Sequence, residues 1–571
     1  MLPLALLLMT APTAEDAKLA AAFKGWLDDE CRRHPLFATQ QGNHEHDDRL
    51  DDLSPQARAD DVERAKALLA DLPHRLDPAK LSRAGQIDLE IWQHALQLQL
   101  WQAEHDDRFR TDPRVYGEYL SDSVFLLFTQ STLPADRNRA NAARRVAELP
   151  KVIAAAKASL TNPPRLLTEV AIKRTAGAID FYEKDIFGFA GVAPGTSELA
   201  GPCRAAAAAL KEYKGWLETA LLPRSTGDWR LGRERFADKL ALELNAGISA
   251  ADLVREAEAE ADRVEREMWF TGKQLWSKLF PGRVLPPDDA PGRRQLTRAV
   301  LDELGKDHGR PEGLVADAAR SVADLKRFIA AKRILTLPDP DRCRVVEMPA
   351  FQRGFSVAYL NPAPPLDPRA ASLYAVAPPP ADWPPARQQA FFREYNRAML
   401  RVLTIHEAYP GHYVQLAYGN RHPSLVRKVL YSGVFAEGWA VYTEQMMLDQ
   451  GYGDGDLALR LHQLKFYLRA VLNALLDHHM HCSDWTDEQA LQLLVGRGFQ
   501  TEGEAVGKVA RAKQSSGQLS TYFAGRTAFY RLRQAVQRRH GDAFDLGRYH
   551  EAVLGHGTLP VKYLPELLGA R

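Results

Sequence analysis

Thr404-Ile-His-Glu-Ala-Tyr-Pro-Gly-His-Tyr413 brings two histidines, a glutamate, a proline and a glycine together within ten consecutive residues. The apolar pattern that precedes this segment, from Pro385 onward, predicts an amphipathic helix whose apolar face includes His406. His406 is therefore expected to point into the protein, where a polar side chain needs a partner. Taken alone, His406 is most simply a hydrogen-bonded core histidine, and Glu407 a solvated carboxylate.

The spacing of the two histidines differs from that of the commonest zinc motif, H-E-x-x-H, in which they lie one helical turn apart and the glutamate is the base. Here the second histidine, His412, is displaced by two residues, and a regular helix would turn it away from His406. Pro410 also lacks the N–H that would bond to the carbonyl of His406. We therefore predict a broken or widened turn between Ala408 and Gly411 that brings His412 to a metal.

A second acidic segment follows, Phe435-Ala-Glu-Gly-Trp-Ala-Val-Tyr-Thr-Glu444. Glu437 and Glu444 are seven residues apart, so they share one stripe of a helix with apolar flanks. Two carboxylates on such a face need a cation or hydrogen-bond donors, and a metal ligand with an outer partner is one such arrangement. If His412 faces away from the metal, another residue, for instance His422 or Glu444, would complete the site.

The two segments, together with the ending Gly555-His-Gly-Thr-Leu-Pro560, resemble the bacterial "domain of unknown function 885" family, which is similar to the gluzincin metallopeptidases. The resemblance covers most of the chain and implies a large multi-helical metallopeptidase-like fold, a Zn²⁺ cofactor and a peptide substrate. It also implies a role for each of five residues. His406, His412 and Glu437 are the metal ligands, Glu407 is the general base, and Glu444 is the outer partner of a ligand.

Two further segments are similar to stretches of this family. In Ser520-Thr-Tyr-Phe-Ala-Gly-Arg526, the resemblance implies that Tyr522 donates to the oxyanion, although an amphipathic core tyrosine is the alternative. Arg526, one turn further on, is expected to bind a substrate carboxylate. In Asp477-His-His-Met-His481, a mutual hydrogen bond between the first and last residues is the simpler interpretation, and a substrate-facing His481 is the alternative.

These residues predict hydrolysis of short peptides by metal-activated water, with Glu407 transferring the proton. Other classes stay open. The chain could be a non-catalytic peptide-binding protein on a peptidase scaffold, although such a protein would typically have lost Glu407 or a ligand. It could also be a non-peptide metal-dependent amidase, and two histidines with one carboxylate also suit non-haem iron.

The rest of the chain predicts a mainly α fold with a small β element directly before the active-site helix. Ser249 is expected to cap a helix that runs to about Trp276. Further predicted helices are Gly201–Leu222, Gly313–Leu335, Pro385–Ala408, Leu425–Asp449, Asp456–His481, Gly503–Ser515 and Thr521–Arg539. Predicted strands are Arg344–Met348, Phe355–Tyr359 and Ser372–Val376. We expect an N-terminal helical region over residues 15–340 and a catalytic region over residues 341–571.

Composition excludes some partners. Among 571 residues, Lys plus Arg number 74 and Asp plus Glu 73, so there is no basic excess of the kind that binds nucleic acid. The apolar run Leu2–Met9 and the small residues up to Ala14 are typical of a signal peptide over residues 1–14. The run lacks a preceding Lys or Arg, which favours a start further upstream. We expect an exported protein, periplasmic or secreted, with no membrane-spanning segment in the mature chain.

Overall fold

The computed structural model describes residues 12–195, 197–348, 358–380 and 383–570, which are mainly helical with one small sheet. They form two compact units. The first comprises Met1–Trp229, Ala363–Ala370 and Pro423–Leu430, and the second comprises Arg230–Pro362, Ala371–His422 and Tyr431–Arg571. The sequence-based division at residues 340 and 341 stays a prediction, and the signal-like run Leu2–Met9 lies outside the described residues.

The described residues of the first unit are mainly helical in its long N-terminal part. Its apolar core includes Phe23 and Trp92, both almost fully buried, with ring centroids 5.2 Å apart in an edge-to-face arrangement that aromatic pairs favour. Its helices are α1 Ala14–Arg33, α2 Pro35–Gln41, α3 Pro55–Arg75, α4 Arg83–His105, α5 Arg108–Thr111, α6 Arg114–Gly117, α7 Ser123–Thr129, α8 Ala135–Ser159, α9 Arg165–Asp180, α10 Ile186–Ala190 and α11 Ala200–Trp216.

The second unit holds the predicted site residues. Its helices are α12 Arg233–Leu244, α13 Ala250–Leu279, α14 Ala290–Leu304, α15 Leu314–Lys332, α16 Pro385–Glu394, α17 Arg397–Glu407, α18 His412–Gly419, α20 Gly433–Asp449, α21 Leu457–Cys482, α22 Asp487–Leu491, α23 Glu502–Gln514, α24 Thr521–His540, α25 Leu546–Gly555 and α26 Leu564–Leu567. Between α18 and α20 the short helix α19, Leu425–Val429, belongs to the first unit. The predicted cap at Ser249 is confirmed, because its hydroxyl accepts from the N–H of Asp252. Within the described residues no helix is both long and apolar enough to cross a membrane.

Two helices predicted as continuous are each divided. The helix predicted over Pro385–Ala408 ends at Glu394 and restarts at Arg397, and the one predicted over Leu425–Asp449 ends at Val429 and restarts at Gly433. In both cases a polar side chain caps the restart. Asn396 accepts from the N–H of Met399, and Ser432 accepts from the N–H of Phe435. Such side chains offer the backbone an alternative to the continuing helix, and apolar periodicity alone does not reveal this.

The core of the second unit is built around α20, whose residues are buried on nearly every side. A helix that is apolar all round must be surrounded by others, and α17, α21 and α24 pack against it. The approach of α24 is especially close, because an added Cβ at Gly438 would lie 2.4 Å from the backbone of Gly525. Glycines at this crossing therefore set the distance of α20, and of the Glu437 that it carries, from α24.

A three-stranded sheet precedes the site helix, as predicted. It consists of β1 Cys343–Glu347, β2 Ala358–Asn361 and β3 Ser372–Val376, in the order β1-β3-β2. β3 pairs in parallel with β1 and antiparallel with β2. The predicted strand Phe355–Tyr359 begins outside the described residues. The sheet is joined to α17 by a hydrogen bond of 3.0 Å between the hydroxyls of Tyr374 and Thr404.

Candidate metal centre

The helix that carries the first histidine stops where the sequence predicts. α17 ends at Glu407, and Ala408 leaves helical geometry with φ −119° and ψ −79°. The N–H of Gly411 then donates to the carbonyl of Ile405 at 3.0 Å, which is a wider turn than the regular i→i−4 pattern. α18 begins at His412. The predicted irregularity between Ala408 and Gly411 is confirmed.

Contacts on both sides hold this turn in place. An added Cβ at Gly411 would lie 1.9 Å from the carbonyl oxygen of His406 and 2.3 Å from that of Ile405, so only glycine fits. From α20, the indole N–H of Trp439 donates to the carbonyl of Pro410 at 2.8 Å. Trp439 is fully buried, so this bond satisfies two polar groups that would be costly to leave unpaired.

The wide turn brings the two histidines together with a glutamate from α20. The rings of His406 and His412 are nearly perpendicular, with centroids 4.8 Å apart. Glu437 Oε2 lies 3.7 Å from Nε2 of His406 and 3.4 Å from Nε2 of His412. One potential ligand atom from each of the three residues lies within 4.8 Å of the others. The three predicted ligands therefore converge on one point.

The chemistry of this cluster fits a divalent metal. Oε2 of Glu437 is buried and has no hydrogen-bond partner among the described residues, because neither histidine contact has hydrogen-bond geometry. Burial raises the pKa of Glu437, but the two histidines outweigh it and hold that pKa well below its usual range. Burial lowers the pKa of His406, yet the nearby carboxylates of Glu437 and Glu444 outweigh it and raise that pKa to about 10. The cluster thus attracts positive charge, and two imidazole nitrogens with one carboxylate are ligands that zinc accepts.

Glu444 contacts the first histidine and lies on the same stripe of α20 as Glu437. Its Oε1 accepts a hydrogen bond of 2.7 Å from Nδ1 of His406, and its side chain is fully buried. A hydrogen on Nδ1 leaves Nε2 with the lone pair that a metal needs, so Glu444 sets both the tautomer and the ring orientation. Phe466, whose ring centroid lies 5.7 Å from that of His406, packs edge to face against the same ring.

Glu407 is held by a hydrogen bond from the sheet. One of its oxygens, Oε2, accepts from the N–H of Leu360 in β2 at 3.0 Å. The other, Oε1, makes no hydrogen bond within the described chain. Burial raises the pKa of Glu407, while the charges of His406 and His412 oppose this effect. A carboxylate with a raised pKa is closer to the working pH of a general base.

His406 and Glu407 line a cavity of about 190 Å³ that also includes Glu444 and Tyr522. The hydroxyl of Tyr522 accepts hydrogen bonds of 3.3 Å from both Arg511 and Gln518. Its own hydrogen is donated to none of the described residues, so it is free for a group in the cavity. Tyr522 therefore lies in the same cavity as His406 and Glu407, and its role as an oxyanion donor stays a prediction. His412 and Glu437 do not line this cavity, but their side chains keep 14% and 21% of their surface exposed.

Arg526 is not brought to the cavity. Its guanidinium lies between the rings of Tyr467 and Tyr530, 4.0 and 4.1 Å from their centroids. It also donates to Gln445 at 2.7 Å and contacts Glu260 at 3.3 Å. The cation already has a carboxylate and two aromatic faces, so its position argues against the predicted binding of a substrate carboxylate.

His481 also lies away from the cavity. Its Nε2 is 3.0 Å from the carbonyl of Ala512 and 2.9 Å from that of Ser515, and its ring stacks on Phe236. Asp477, four residues earlier, accepts from the N–H of Gly517 and the hydroxyl of Ser520. These contacts join α21 to the end of α23 and to the segment before α24, and the substrate-facing alternative for His481 is not supported.

The structure adds cavity residues that the sequence interpretation missed. These are polar side chains from α21 and α23 together with aromatic ones from the α16 region, namely Arg469, Asn473, Glu504, Lys508, Arg511, Trp383, Phe391 and Tyr395. A charged stripe with spacings of four and three residues in the predicted helix Gly503–Ser515 was the one available signal. Its direction relative to the metal site could not be read from the sequence.

Comparison with known proteins agrees with this architecture. Residues 35–568 match a family described as "Bacterial protein of unknown function (DUF885)". A solved structure from Shewanella oneidensis, described as a candidate lipoprotein of unknown function, is 29% identical and has a TM-score of 0.80, with 97% of this chain and 99% of that chain covered. A candidate lipoprotein from Colwellia psychrerythraea is 18% identical with a TM-score of 0.75, covering 98% of this chain and 99% of that one. Among curated proteins, none matches this chain.

The chain belongs to the DUF885 family of bacterial proteins, because the match extends over nearly its whole length. The two solved structures share its fold across almost all of both chains. None of these relatives has a described function, so the chemistry of the site has to be inferred from its own residues.

Proposed function

We propose that this chain is a zinc-dependent peptidase of the gluzincin type that hydrolyses short peptides. The convergence of His406, His412 and Glu437 within 4.8 Å, with Glu407 directly beside the first ligand, is the observation that supports this most directly. A zinc ion held by these three side chains would supply Lewis acidity, which lowers the pKa of water from ~16 toward ~7 and polarises a carbonyl. The mainly helical fold is then a metallopeptidase scaffold.

The other residues supply proton transfer and charge stabilisation. Glu407 takes a proton from the attacking water through its free oxygen and returns it to the leaving amine. The hydrogen bond from Leu360 holds the carboxylate in one rotamer during both transfers. Tyr522, whose hydroxyl hydrogen is unused within the described chain, donates to the oxygen of the scissile carbonyl as negative charge develops there.

The sheet supports a peptide substrate. Among the described strands, β2 is at an edge, and β3 occupies its other side. The N–H of Leu360 points toward Glu407 and not toward β3. A peptide that adds to this edge by strand pairing would therefore run past the general base. Apolar side chains of the cavity, including Leu403, Val441 and Phe466, would contact its side chains.

We further propose that the protein is exported. The apolar N-terminal run resembles a signal peptide, and the two similar structures are both described as candidate lipoproteins. Comparison of cytoplasmic and envelope fractions of cells that express the natural gene, by immunoblot, tests this. Recovery in the cytoplasm alone would overturn it.

The experiment for the activity combines metal analysis with digestion of a mixed peptide library read by mass spectrometry. The native protein should contain one zinc per chain and cleave peptides, and a chelator should abolish cleavage. Glu407→Gln should keep its zinc and lose about 10²–10⁴-fold in rate, because the amide cannot accept the proton. Glu502→Gln, an exposed carboxylate on α23, is the matched control. Full activity of Glu407→Gln, or a native protein that binds no zinc, would refute the proposal.

A further inference from the structure

One wall of the cavity is cationic. Glu504, Lys508 and Arg511 recur on α23 at spacings of four and three residues, so they share one face of that helix. Arg469 reaches the same wall from α21. This wall thus holds three basic side chains and one carboxylate, in the cavity that His406, Glu407 and Glu444 also line.

The cations differ in how far the protein compensates them. Arg469 contacts Glu504 at 3.3 Å and donates to the hydroxyl of Tyr395 at 3.4 Å. Arg511, at the exposed end, bonds only to the neutral Gln518 and Tyr522 among the described residues. Lys508 has neither a hydrogen bond nor an ion pair there. The one carboxylate of the wall is thus engaged by Arg469, and neither Lys508 nor Arg511 contacts an anion among the described residues.

Lys508 is also the most deeply placed of these side chains, with 5% of its surface exposed. Burial, followed by the charges of Arg469 and Arg511, lowers its pKa well below the usual range. A buried ammonium without a partner costs stability, so a structural role does not explain it. Beside it in the same cavity, Asn473 has a buried Oδ1 without a hydrogen-bond partner among the described residues.

We propose that Lys508 binds a carboxylate of the peptide substrate, with Arg511 at the cavity mouth adding positive charge and the amide of Asn473 binding the adjacent peptide group. This inference rests on the proposed peptidase function and names its substrate class as short peptides that place a carboxylate beside the scissile bond. The carboxylate is either the C-terminus of the peptide or an acidic side chain. This site takes over the role that the sequence interpretation assigned to Arg526.

Calorimetric titration of Glu407→Gln protein separates binding from hydrolysis. Three probes are compared: Ala-Ala-Ala, its C-terminal amide, and the amide of Ala-Glu-Ala, which carries a carboxylate only on its side chain. The expected result is about 10- to 100-fold tighter binding of a carboxylate-bearing probe than of the Ala-Ala-Ala amide, the size of one charged hydrogen bond. Adding Lys508→Met should remove this difference and leave the affinity of the amide unchanged.

Lys513→Met is the matched control, because it makes the same change on the same helix at a lysine that is paired with Asp487. It should keep the preference for the carboxylate. Tighter binding of Ala-Ala-Ala identifies the C-terminus as the source, and tighter binding of the Ala-Glu-Ala amide identifies the side chain. Equal binding of all three probes, or no binding of any, overturns the subsite.

Thermal unfolding gives a second readout. Lys508→Met should melt at the same temperature as the parent protein or higher, because it removes a buried amino group that has no partner among the described residues. A clearly lower melting temperature would assign Lys508 to the fold and overturn the proposal. If the native protein cleaves peptides but the probes show no preference for a carboxylate, only the Lys508 subsite is overturned. Probe binding without cleavage by the native protein would instead refute the peptidase function.

Discussion

Gly411→Ala is the substitution that most directly tests how the wide turn builds the candidate metal centre. Gly411 has φ −71° and ψ −132°, and the space around it decides whether a side chain fits there. The new Cβ would lie 1.9 Å from the carbonyl oxygen of His406, and real Cβ contacts are essentially never under 3.0 Å. Both of the close contacts, with His406 and Ile405, are to backbone atoms, so no change of rotamer relieves them.

The turn must therefore open by at least about 1 Å, and His412 follows Gly411 directly. Ligand distances in metal sites are held to within about 0.2 Å, so a movement of this size displaces His412 from the cluster. We expect zinc affinity to fall by 10-fold or more. Removal of an outer partner of a ligand typically costs about 10- to 100-fold, and displacement of the ligand itself should cost at least as much. Crowding of this kind also costs about 1–3 kcal/mol of stability.

Competition with a chromogenic zinc chelator measures the affinity, and urea unfolding measures the stability. Gly433→Ala is the matched control, since an added Cβ there meets nothing within 4 Å and Gly433 belongs to the same helix as Glu437. It should leave both quantities unchanged or raise stability slightly, because alanine suits a helix better. Parental zinc affinity and stability in Gly411→Ala would refute the account of the turn.

Two other predictions concern the ligands and the response to acid. Glu437→Ala should abolish stoichiometric zinc binding. Glu444→Ala should weaken zinc affinity only by about 10- to 100-fold, which is the usual effect of removing an outer partner of a ligand. The reverse order in zinc competition would exchange the roles of the two glutamates. Burial lowers the pKa of His462 to about 4, and its Nε2 accepts from the amide of Asn396 at 2.7 Å, so the folded state keeps it neutral. As the pH falls, the unfolded chain therefore binds a proton at this histidine before the folded protein does. The contribution of neutral His462 to stability is complete above about pH 6.5. The free energy of unfolding should therefore fall by about 2–3 kcal/mol between pH 7 and pH 4.5. Urea unfolding of the parent and of His462→Gln checks this, and equal acid losses in the two proteins would contradict it.

Local sequence predicted much of the secondary structure in the second unit. The helices α21, α23 and α24 lie close to their predicted ranges, and strands occur where the sequence became rich in β-branched and aromatic residues. The divisions at Asn396 and Ser432 were missed because a single capping side chain ends an apolar pattern that otherwise continues. Apolar periodicity reports which face is buried, and it does not report where the chain changes direction.

The turn at the site was predictable for a local reason. A proline without its N–H, followed by a glycine, disfavours continuation of the helix from His406. The identity of the ligand set likewise depended on residue types and short spacings. Helical spacing did not determine which of Glu437 and Glu444 faces the cluster, because both lie on one stripe of α20. Only the hydrogen bond between Glu444 and His406, 38 residues apart, separates their positions.

The sequence by itself determined that two histidines and a glutamate lie around an interrupted helix, because backbone chemistry and helical spacing act over a few residues. The tertiary structure alone decided which cation faces the cavity. Arg526 and Lys508 both lie on helices with mixed faces, yet Arg526 is enclosed by Tyr467, Tyr530 and Glu260, while Lys508 meets no anion among the described residues. The direction of a side chain around its helix has meaning only relative to the helices packed against it. Those contacts join residues that are far apart in the sequence.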